Sequence, residues 1–141
     1  MYGTLRLMKN TASIKLTKYM PGSSPKDFIL RWVGIRTGHK TNVGMNVHLD
    51  PFFPNLISIG DGVIIGYDAV ISSHFYGRNR HGSYFCIGEV TLEPYSTIGA
   101  RSIIGPGIRV CAHATVAPNS VPYTNVEPYS TVIGNPARKL R

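Results

Sequence analysis

His74 is the residue of this chain whose type and neighbours point most directly to chemistry. It follows the segment 70–73, which begins with two aliphatic residues, and precedes a stretch, 75–84, that is rich in aromatic, polar and basic residues. A histidine titrates near neutral pH and is the usual group for taking a proton from a hydroxyl or an amine. Aromatic rings can lie on the apolar faces of a sugar while Arg, Asn and His bond its hydroxyl groups. The stretch thus supplies four candidate substrate ligands: Tyr76, Arg78, His81 and Tyr84.

A six-residue period on both sides of this stretch predicts the elements that position it. An aliphatic residue returns at every sixth position, and a Gly, Ala or Cys often follows it. Such a period is typical of a parallel β-helix, in which three hexapeptides make one turn of about eighteen residues and the aliphatic side chains point inward. Backbone polar groups are then satisfied between successive coils. The aliphatic positions of the later block are Leu92, Ile98, Ile104, Val110 and Val116.

The period divides the chain into parts of a single domain. Residues 1–34 lie outside the repeat and 35–74 form the early coils. Residues 75–84 leave the repeat as a loop, 85–121 form the late coils, and 122–141 are a tail that contains prolines. An excursion of this kind either covers a site or reaches a neighbouring molecule.

The segment that begins at Ser24 predicts a short helix. Ser24 suits the N-cap, Pro25 the first helical position and Asp27 the third. We expect this helix to cover the open end of the β-helix with one apolar side. That side consists of Phe28, Ile29, Trp32 and Val33.

One irregularity follows the loop. Ile87 and Leu92 are five positions apart rather than six, and Glu93 occupies a place that is usually small or apolar. Either a residue is missing at a corner, or Ile87 belongs to a strand that returns from the loop.

Three ordered segments carry a resemblance to a known family. They are the mid-helix repeat at 57–66, the segment 70–74 that ends in a histidine, and the sequence Gly-Asn-Pro-Ala-Arg within 132–138. Over about residues 35–141 the chain resembles the hexapeptide-repeat acyltransferases, in the branch of the maltose, galactoside and colanic-acid O-acetyltransferases. This implies an all-β fold, a single-stranded left-handed parallel β-helix. It also implies a homotrimer with active sites between subunits.

The same resemblance implies the reaction and its residues. An acetyl group would pass directly from acetyl-CoA to a hydroxyl or amine of a sugar-like acceptor, with no metal required. His74 would be the general base, with His81 as second candidate, and Asn46 would lie on the substrate side. A lysine that the family often has beside Thr124 is absent, because Tyr123-Thr124 stand there. The residues implied to contact acetyl-CoA are Gly99, Ala100, Ala117, Pro118, Thr124, Arg138 and Arg141.

Composition narrows the function classes further. The net charge of +8 comes from dispersed basic residues without interleaved aromatics, which argues against nucleic acid and suits a phosphate-bearing ligand. No stretch is long and apolar enough for membrane insertion, and the first residues lack the apolar core of a secretory signal. The two cysteines do not indicate a disulfide framework. We expect a cytoplasmic protein.

Two alternatives remain open at this stage. A γ-class carbonic anhydrase shares the fold and binds zinc between subunits through three histidines, a spacing that His39, His74 and His81 approximate but miss. A non-catalytic trimeric scaffold with a degenerate site is the other alternative, and the missing lysine near Thr124 supports it.

Overall fold

The computed structural model describes residues 3–20 and 24–140. Two α-helices come first and are followed by short strands, which we group by coil. The helices are α1 (Thr4–Thr17) and α2 (Ser24–Val33). The first coil contains β1 (Arg36–Thr37), β2 (Asn42–Val43) and β3 (His48–Leu49), and a 3-10 turn (Pro54–Leu56) follows. The second coil contains β4 (Ile57–Ile59), β5 (Ile64–Ile65) and β6 (Val70–Ile71), and then come β7 (His74–Asn79) and β8 (Gly82–Ile87). The later strands are β9 (Val90–Leu92), β10 (Thr97–Ile98), β11 (Ile103–Ile104), β12 (Arg109–Val110), β13 (Thr115–Val116), β14 (Thr131–Gly134) and β15 (Ala137–Lys139).

Successive coils stack strand on strand into three sheets, as the period predicts. The first sheet has the order β1-β4-β9-β12, the second β15-β14-β13-β10-β5-β2, and the third β11-β6-β3. The pairing between coils is parallel, and only β14 and β15 pair antiparallel within these three sheets. Ser120 N bonds Ser102 Oγ 18 residues earlier, which matches the predicted turn length. The first coil is longer, since Asn46 bonds Asp68 at a separation of 22 residues.

The predicted inward positions form the core of the column. Leu92, Ile98, Ile104, Val110 and Val116 are all fully buried, with at most 1% of their surface exposed. Small residues four positions after an aliphatic residue are buried as well, and they are Ser96, Ser102, Ala114 and Ser120. The six-residue period therefore identified the core correctly.

The predicted apolar side of α2 is wrong in part. Phe28 is 73% exposed and Trp32 58% exposed, whereas Leu30 and Val33 are buried. Lys26 and Asp27 are buried too, although both are polar. The helix therefore packs on the column with a mixed face, rotated from the one that its apolar residues suggest.

The open end of the column gives the physical reason. β1, β2 and β3 are the end strands of their sheets, so carbonyl groups on their outer side need donors that no further coil supplies. Lys26 Nζ donates to the carbonyl oxygens of Val43 (2.7 Å) and Gly44 (2.9 Å). Arg31 donates to the carbonyl oxygens of Thr37 and Gly38. The need of these carbonyl groups for hydrogen-bond donors, rather than apolarity alone, therefore decides which face of α2 is buried.

The excursion after the second coil is not an irregular loop. β7 and β8 pair antiparallel from His74↔Ile87 to Asn79↔Gly82 and form a hairpin that projects from the column. Ile87 thus belongs to the returning strand, which resolves the irregular spacing before Leu92. The coil resumes at Val90 and not at Phe85, so the predicted boundary of the late coils is corrected by five residues.

Among the described residues, neither helix has the length and apolarity needed to cross a bilayer.

Candidate active site

Two departures from the regular coil meet at one corner of the column. The segment from Asp50 to Leu56 follows β3, and the hairpin follows β6 one coil later. β3 and β6 are paired in register, with Leu49 opposite Ile71, so the residues that follow them lie side by side. Asp50 N accordingly donates to the Ile71 carbonyl at 3.1 Å. This corner, between the third sheet and the first sheet of the next coil, is called the third corner below.

At the third corner His74 is paired with a buried carboxylate. Asp50 lies 24 residues before His74 in the sequence, and its Oδ2 atom accepts a hydrogen bond from His74 Nδ1. The same oxygen accepts bonds from Ser73 N (3.1 Å) and Ser73 Oγ (2.7 Å), and Oδ1 accepts one from Phe52 N (2.8 Å). The Asp50 side chain is fully enclosed, whereas a quarter of the His74 side chain (26%) is exposed.

The environment of Asp50 keeps its carboxylate ionised. Burial by itself raises the pKa, but hydrogen bonds from His74, Ser73 and Phe52 together outweigh it, so the pKa of Asp50 lies below its ordinary value. An ionised carboxylate only accepts hydrogen bonds, and His74 Nδ1 must therefore carry a proton. In the neutral ring this leaves the lone pair on Nε2, the nitrogen that a general base uses.

Asp50 is a functional residue that the sequence alone did not reveal, because its link to His74 depends on pairing between coils. A usable signal existed, since Leu49-Asp50 and Ile71-Ser72 occupy equivalent places in consecutive coils, each just before the repeat is interrupted.

Aromatic rings surround the exposed part of His74. The centroid of its ring lies 5.1 Å from that of Phe52, 5.9 Å from Phe53 and 5.6 Å from Phe85. Phe52 and Phe53 come from the first departure and Phe85 from β8, so both segments contribute to the walls. These rings limit water around the imidazole and present apolar surface to a ligand that approaches it.

The predicted substrate ligands divide between the two faces of the hairpin. Tyr76 and Arg78 are on the face of β7 that carries His74, because alternate residues of a strand share a face. Tyr76 also packs on Phe85 at 6.3 Å between centroids. Tyr84 lies on the opposite face, where it packs on Phe75 at 6.2 Å. His81 lies in the turn of the hairpin at the end far from His74.

Asn46 occupies a different corner of the same column. It lies between β2 and β3, at the corner between the second and third sheets, called the second corner below. Its side-chain nitrogen donates to Asp68 Oδ1 at 2.5 Å. The whole width of the third sheet separates this corner from His74 within one chain.

Most residues implied to contact acetyl-CoA also lie at the second corner, in the later coils. Gly99 and Ala100 follow β10, and Ala117 and Pro118 follow β13 one coil further. The backbones approach closely here, since a Cβ atom on Gly99 would lie only 2.4 Å from Pro118 N. Ala100 O accepts a bond from Asn119 N at 2.9 Å.

The remaining implied contacts are scattered. Thr124 is an exposed residue at the third corner, two coils beyond His74 and just before Val126, which bridges to Val110. Arg138 is an exposed residue of β15, paired with Ile133 across a turn that contains the Gly-Asn-Pro-Ala-Arg sequence. Arg141 lies outside the described residues.

The three histidines of the zinc alternative lie apart within one chain. His39 is at the corner between the first and second sheets, His74 is at the third corner, and His81 is at the end of the hairpin. In the part of the chain that the structure describes, no three His, Cys, Asp or Glu side chains are grouped so that they could hold a metal ion.

Comparisons with known proteins agree on one family. No family model matches the sequence. The chain is 30% identical over 135 residues to the protein named "Putative acetyltransferase YvoF" of Bacillus subtilis (strain 168), a match that covers 95% of this chain and 76% of that protein.

Solved structures share the fold. A maltose O-acetyltransferase from Clostridium difficile 630 matches with a TM-score of 0.72 and 19% identity, over 99% of this chain and 88% of that one. A hexapeptide-repeat acetyltransferase from Vibrio cholerae in complex with acetyl-CoA matches with a TM-score of 0.74 and 21% identity, over 97% and 86%. From its repeat, its fold and the Bacillus relative, the chain belongs to the hexapeptide-repeat acetyltransferases.

Proposed function

We propose that this acetyltransferase moves an acetyl group from acetyl-CoA directly to a hydroxyl or amine of a sugar-like acceptor in the cytoplasm, with His74 as general base. The observation that carries the proposal is the pairing of His74 Nδ1 with the buried Asp50 carboxylate, which leaves Nε2 to accept a proton. The aromatic surroundings of the ring add a surface on which an acceptor can lie.

The chemistry needs few groups. His74 Nε2 takes the proton of the acceptor hydroxyl while the oxygen of that hydroxyl bonds to the carbonyl carbon of the thioester. The carbon–sulfur bond of the tetrahedral intermediate then breaks, and the imidazolium returns the proton to the departing CoA sulfur. Asp50 holds the ring in one orientation and stabilises the imidazolium through Nδ1, as the carboxylate does in a Ser-His-Asp triad. Positioning of the two substrates supplies much of the remaining rate enhancement.

The separation, within one chain, of His74 from the residues implied to contact acetyl-CoA supports a trimer. In one chain His74 is at the third corner, whereas Gly99, Ala100, Ala117 and Pro118 are at the second. A cyclic arrangement of three columns can place the third corner of one subunit against the second corner of the next. We therefore propose a homotrimer of left-handed coils with three active sites between subunits. On this arrangement Asn46 also reaches the acceptor side from a neighbouring subunit.

Two observations support a sugar-like acceptor. The Clostridium structure is that of a maltose O-acetyltransferase. In addition, Tyr76 and Phe85 share the face of the hairpin that carries His74, where rings can stack on the apolar side of a sugar. Arg78 on that face can bond its hydroxyl groups.

Calorimetric titration with acetyl-CoA tests the donor half of the proposal, with molar mass by light scattering and metal content measured on the same sample. We expect a trimer that binds acetyl-CoA without stoichiometric zinc. Arg138→Ala is expected to weaken acetyl-CoA binding about 5-fold to 10-fold through loss of a charged phosphate contact, while Lys40→Ala serves as a charge-matched control. A trimer with one zinc per subunit and no acetyl-CoA binding would contradict the proposal and favour the carbonic anhydrase alternative.

A further inference from the structure

Helix α1 has an apolar stripe on the side that faces away from the protein. Its buried side consists of Asn10, Ile14 and Thr17. Residues advance by about 100° per position around a helix, which places positions 5, 8, 12 and 16 on the opposite side. Leu5 is 82% exposed, Met8 64% and Leu16 60%. The stripe is therefore not part of the packing that holds α1 on the column.

Helix α2 continues this surface. Phe28 and Trp32 are four residues apart on one exposed side, which is the side that the sequence analysis expected to be buried. Lys9 joins the two helices, since its Nζ atom lies 4.3 Å from the centroid of the Trp32 ring. Lys9 also lines a shallow groove on α1 with Leu5 and Met8. The term cap patch is used below for Leu5, Met8, Leu16, Phe28 and Trp32.

The charge around the cap patch has one sign. Lys9 and Lys15 lie on either side of the α1 stripe, and both are exposed. Asp27 is the one carboxylate in the first 49 residues of the sequence. It is buried, and its Oδ1 atom accepts a hydrogen bond from Thr41 at 2.6 Å. The cap thus presents apolar side chains and cations together, with no exposed carboxylate among the described residues before position 50.

We propose that the cap patch docks this protein on an anionic lipid surface. A helix with Leu, Phe or Trp on its outer side and lysines at the edges lies in the interfacial layer of a bilayer, where apolar groups enter the acyl boundary. Lysine side chains reach back to the headgroups, and each one near an anionic surface strengthens binding about 5-fold. A second copy of the chain is a poorer occupant, because two cap patches face to face would bring their lysines together.

The position of the cap suits this role. α2 covers the end of the column at which β1, β2 and β3 lie, so the patch is at one end of the long axis, whereas Gly99, Ala100, Ala117 and Pro118 lie in the later coils. This step alone rests on the proposed trimer. A threefold axis that runs along the column places the three cap patches at the same end of the trimer. Simultaneous contact of three patches strengthens weak individual binding without any new contact type.

The lone tryptophan makes the patch directly observable. Trp32 is the single tryptophan of the chain, so its emission reports on the cap patch alone. The purified full chain is mixed with vesicles of phosphatidylcholine, or with vesicles in which phosphatidylglycerol replaces about a third of the lipid. We expect co-sedimentation and a blue shift of Trp32 emission with the anionic vesicles only, both reduced by added salt.

Matched variants separate the apolar and the charged contributions. Leu5→Ser with Met8→Ser is expected to lower the partition coefficient about 10-fold to 100-fold through lost apolar burial, whereas Leu140→Ser, an exposed leucine at the other end of the chain, leaves it unchanged. Lys9→Gln with Lys15→Gln is expected to lower it about 30-fold. Lys40→Gln with Lys139→Gln removes the same charge outside the patch and serves as its control.

Several outcomes would overturn the proposal without touching the acetyltransferase assignment, because acetyl-CoA titration in the absence of vesicles measures that separately. They are no binding to either vesicle, equal loss of binding in the control variants, and sedimentation without a change in Trp32 emission. A lower molar mass in the Leu5 and Met8 double variant would also overturn it, since the patch would then be a contact between copies of the chain.

Discussion

His74 Nδ1 donates a hydrogen bond to Asp50 Oδ2, and the two residues reach each other from consecutive coils. Ser73 donates twice to the same oxygen, so bonds other than the one from the imidazole also hold the carboxylate in place. The rotation and the tautomer of His74 are therefore set by a group that does not need to move during the reaction. Nε2 is left as the nitrogen that takes a proton.

The first prediction concerns His74 itself. We expect His74→Ala to lower kcat by about 10²-fold to 10⁴-fold, the usual contribution of a general base, with little change in acetyl-CoA affinity. Steady-state kinetics and calorimetry on the same preparation check this. His113→Ala is the control, because His113 is an exposed histidine stacked between Tyr95 and Tyr129 and lies outside the proposed site. Near-normal turnover of the His74 variant would remove it from the mechanism.

The second prediction concerns the role of Asp50 in turnover. Asp50→Asn keeps the size of the side chain but replaces one oxygen by a hydrogen-bond donor. It therefore allows the wrong tautomer of His74 and no longer stabilises the imidazolium. We expect kcat to fall by about 10²-fold or more, as for loss of the corresponding carboxylate in a catalytic triad, while KM for acetyl-CoA changes little. An equal loss in kcat and in acetyl-CoA affinity would instead indicate a general structural defect.

The third prediction follows from the lowered pKa of Asp50. A carboxyl group whose pKa is lower in the folded state stabilises the fold at pH values above its ordinary value of 3.8, and this stabilisation disappears as pH falls through the folded-state pKa. We expect wild type to exceed Asp50→Asn in free energy of unfolding by about 2 kcal/mol at pH 7, with the difference shrinking below pH 3.8. Urea unfolding across this range measures it. A difference that stays constant down to the acid limit would show that ionisation of Asp50 is not the cause.

The fourth prediction tests whether Lys26 stabilises the fold by donating to carbonyl groups at the open end of the column. Lys26 is 1% exposed, and it donates to two carbonyl groups of the first coil. Lys26→Met keeps most of the apolar stem but removes the donors, and we expect a loss of about 2 kcal/mol in the free energy of unfolding. Lys15→Met on the exposed side of α1 is the matched control and should change stability little. If both variants unfold at the same urea concentration, the bonds of Lys26 do not stabilise the cap.

The fifth prediction concerns the close backbone approach at the second corner. A Cβ atom on Gly66 would lie 2.5 Å from Ala100 N, whereas one on Gly105 would meet nothing within 4 Å. We expect Gly66→Ala to destabilise the fold by about 1–3 kcal/mol, the usual cost of overpacking. Gly105→Ala should leave the melting temperature unchanged or slightly raised. Thermal unfolding of the two variants compares one substitution at two corners, and equal melting temperatures would contradict the predicted clash.

Much of the fold could be predicted because the repeat is local. Inward Leu92 and Val110, the small residues between them and the parallel stacking all follow from a six-residue period that each coil repeats on its own. The location of His74 beside an excursion could be read in the same way. These features depend on residues that are close in sequence or regularly spaced, so they can be predicted from the amino-acid sequence alone.

Tertiary structure decided what the period does not encode. Asp50 meets His74 only because β3 and β6 pair in register, so that two interruptions of different length fall at one corner. The buried side of α2 was decided by unsatisfied carbonyl groups on the first coil, which overrode the apolarity of Phe28 and Trp32. In both cases the controlling partners are distant in sequence, and hydrogen bonds, rather than the hydrophobic period, selected the arrangement.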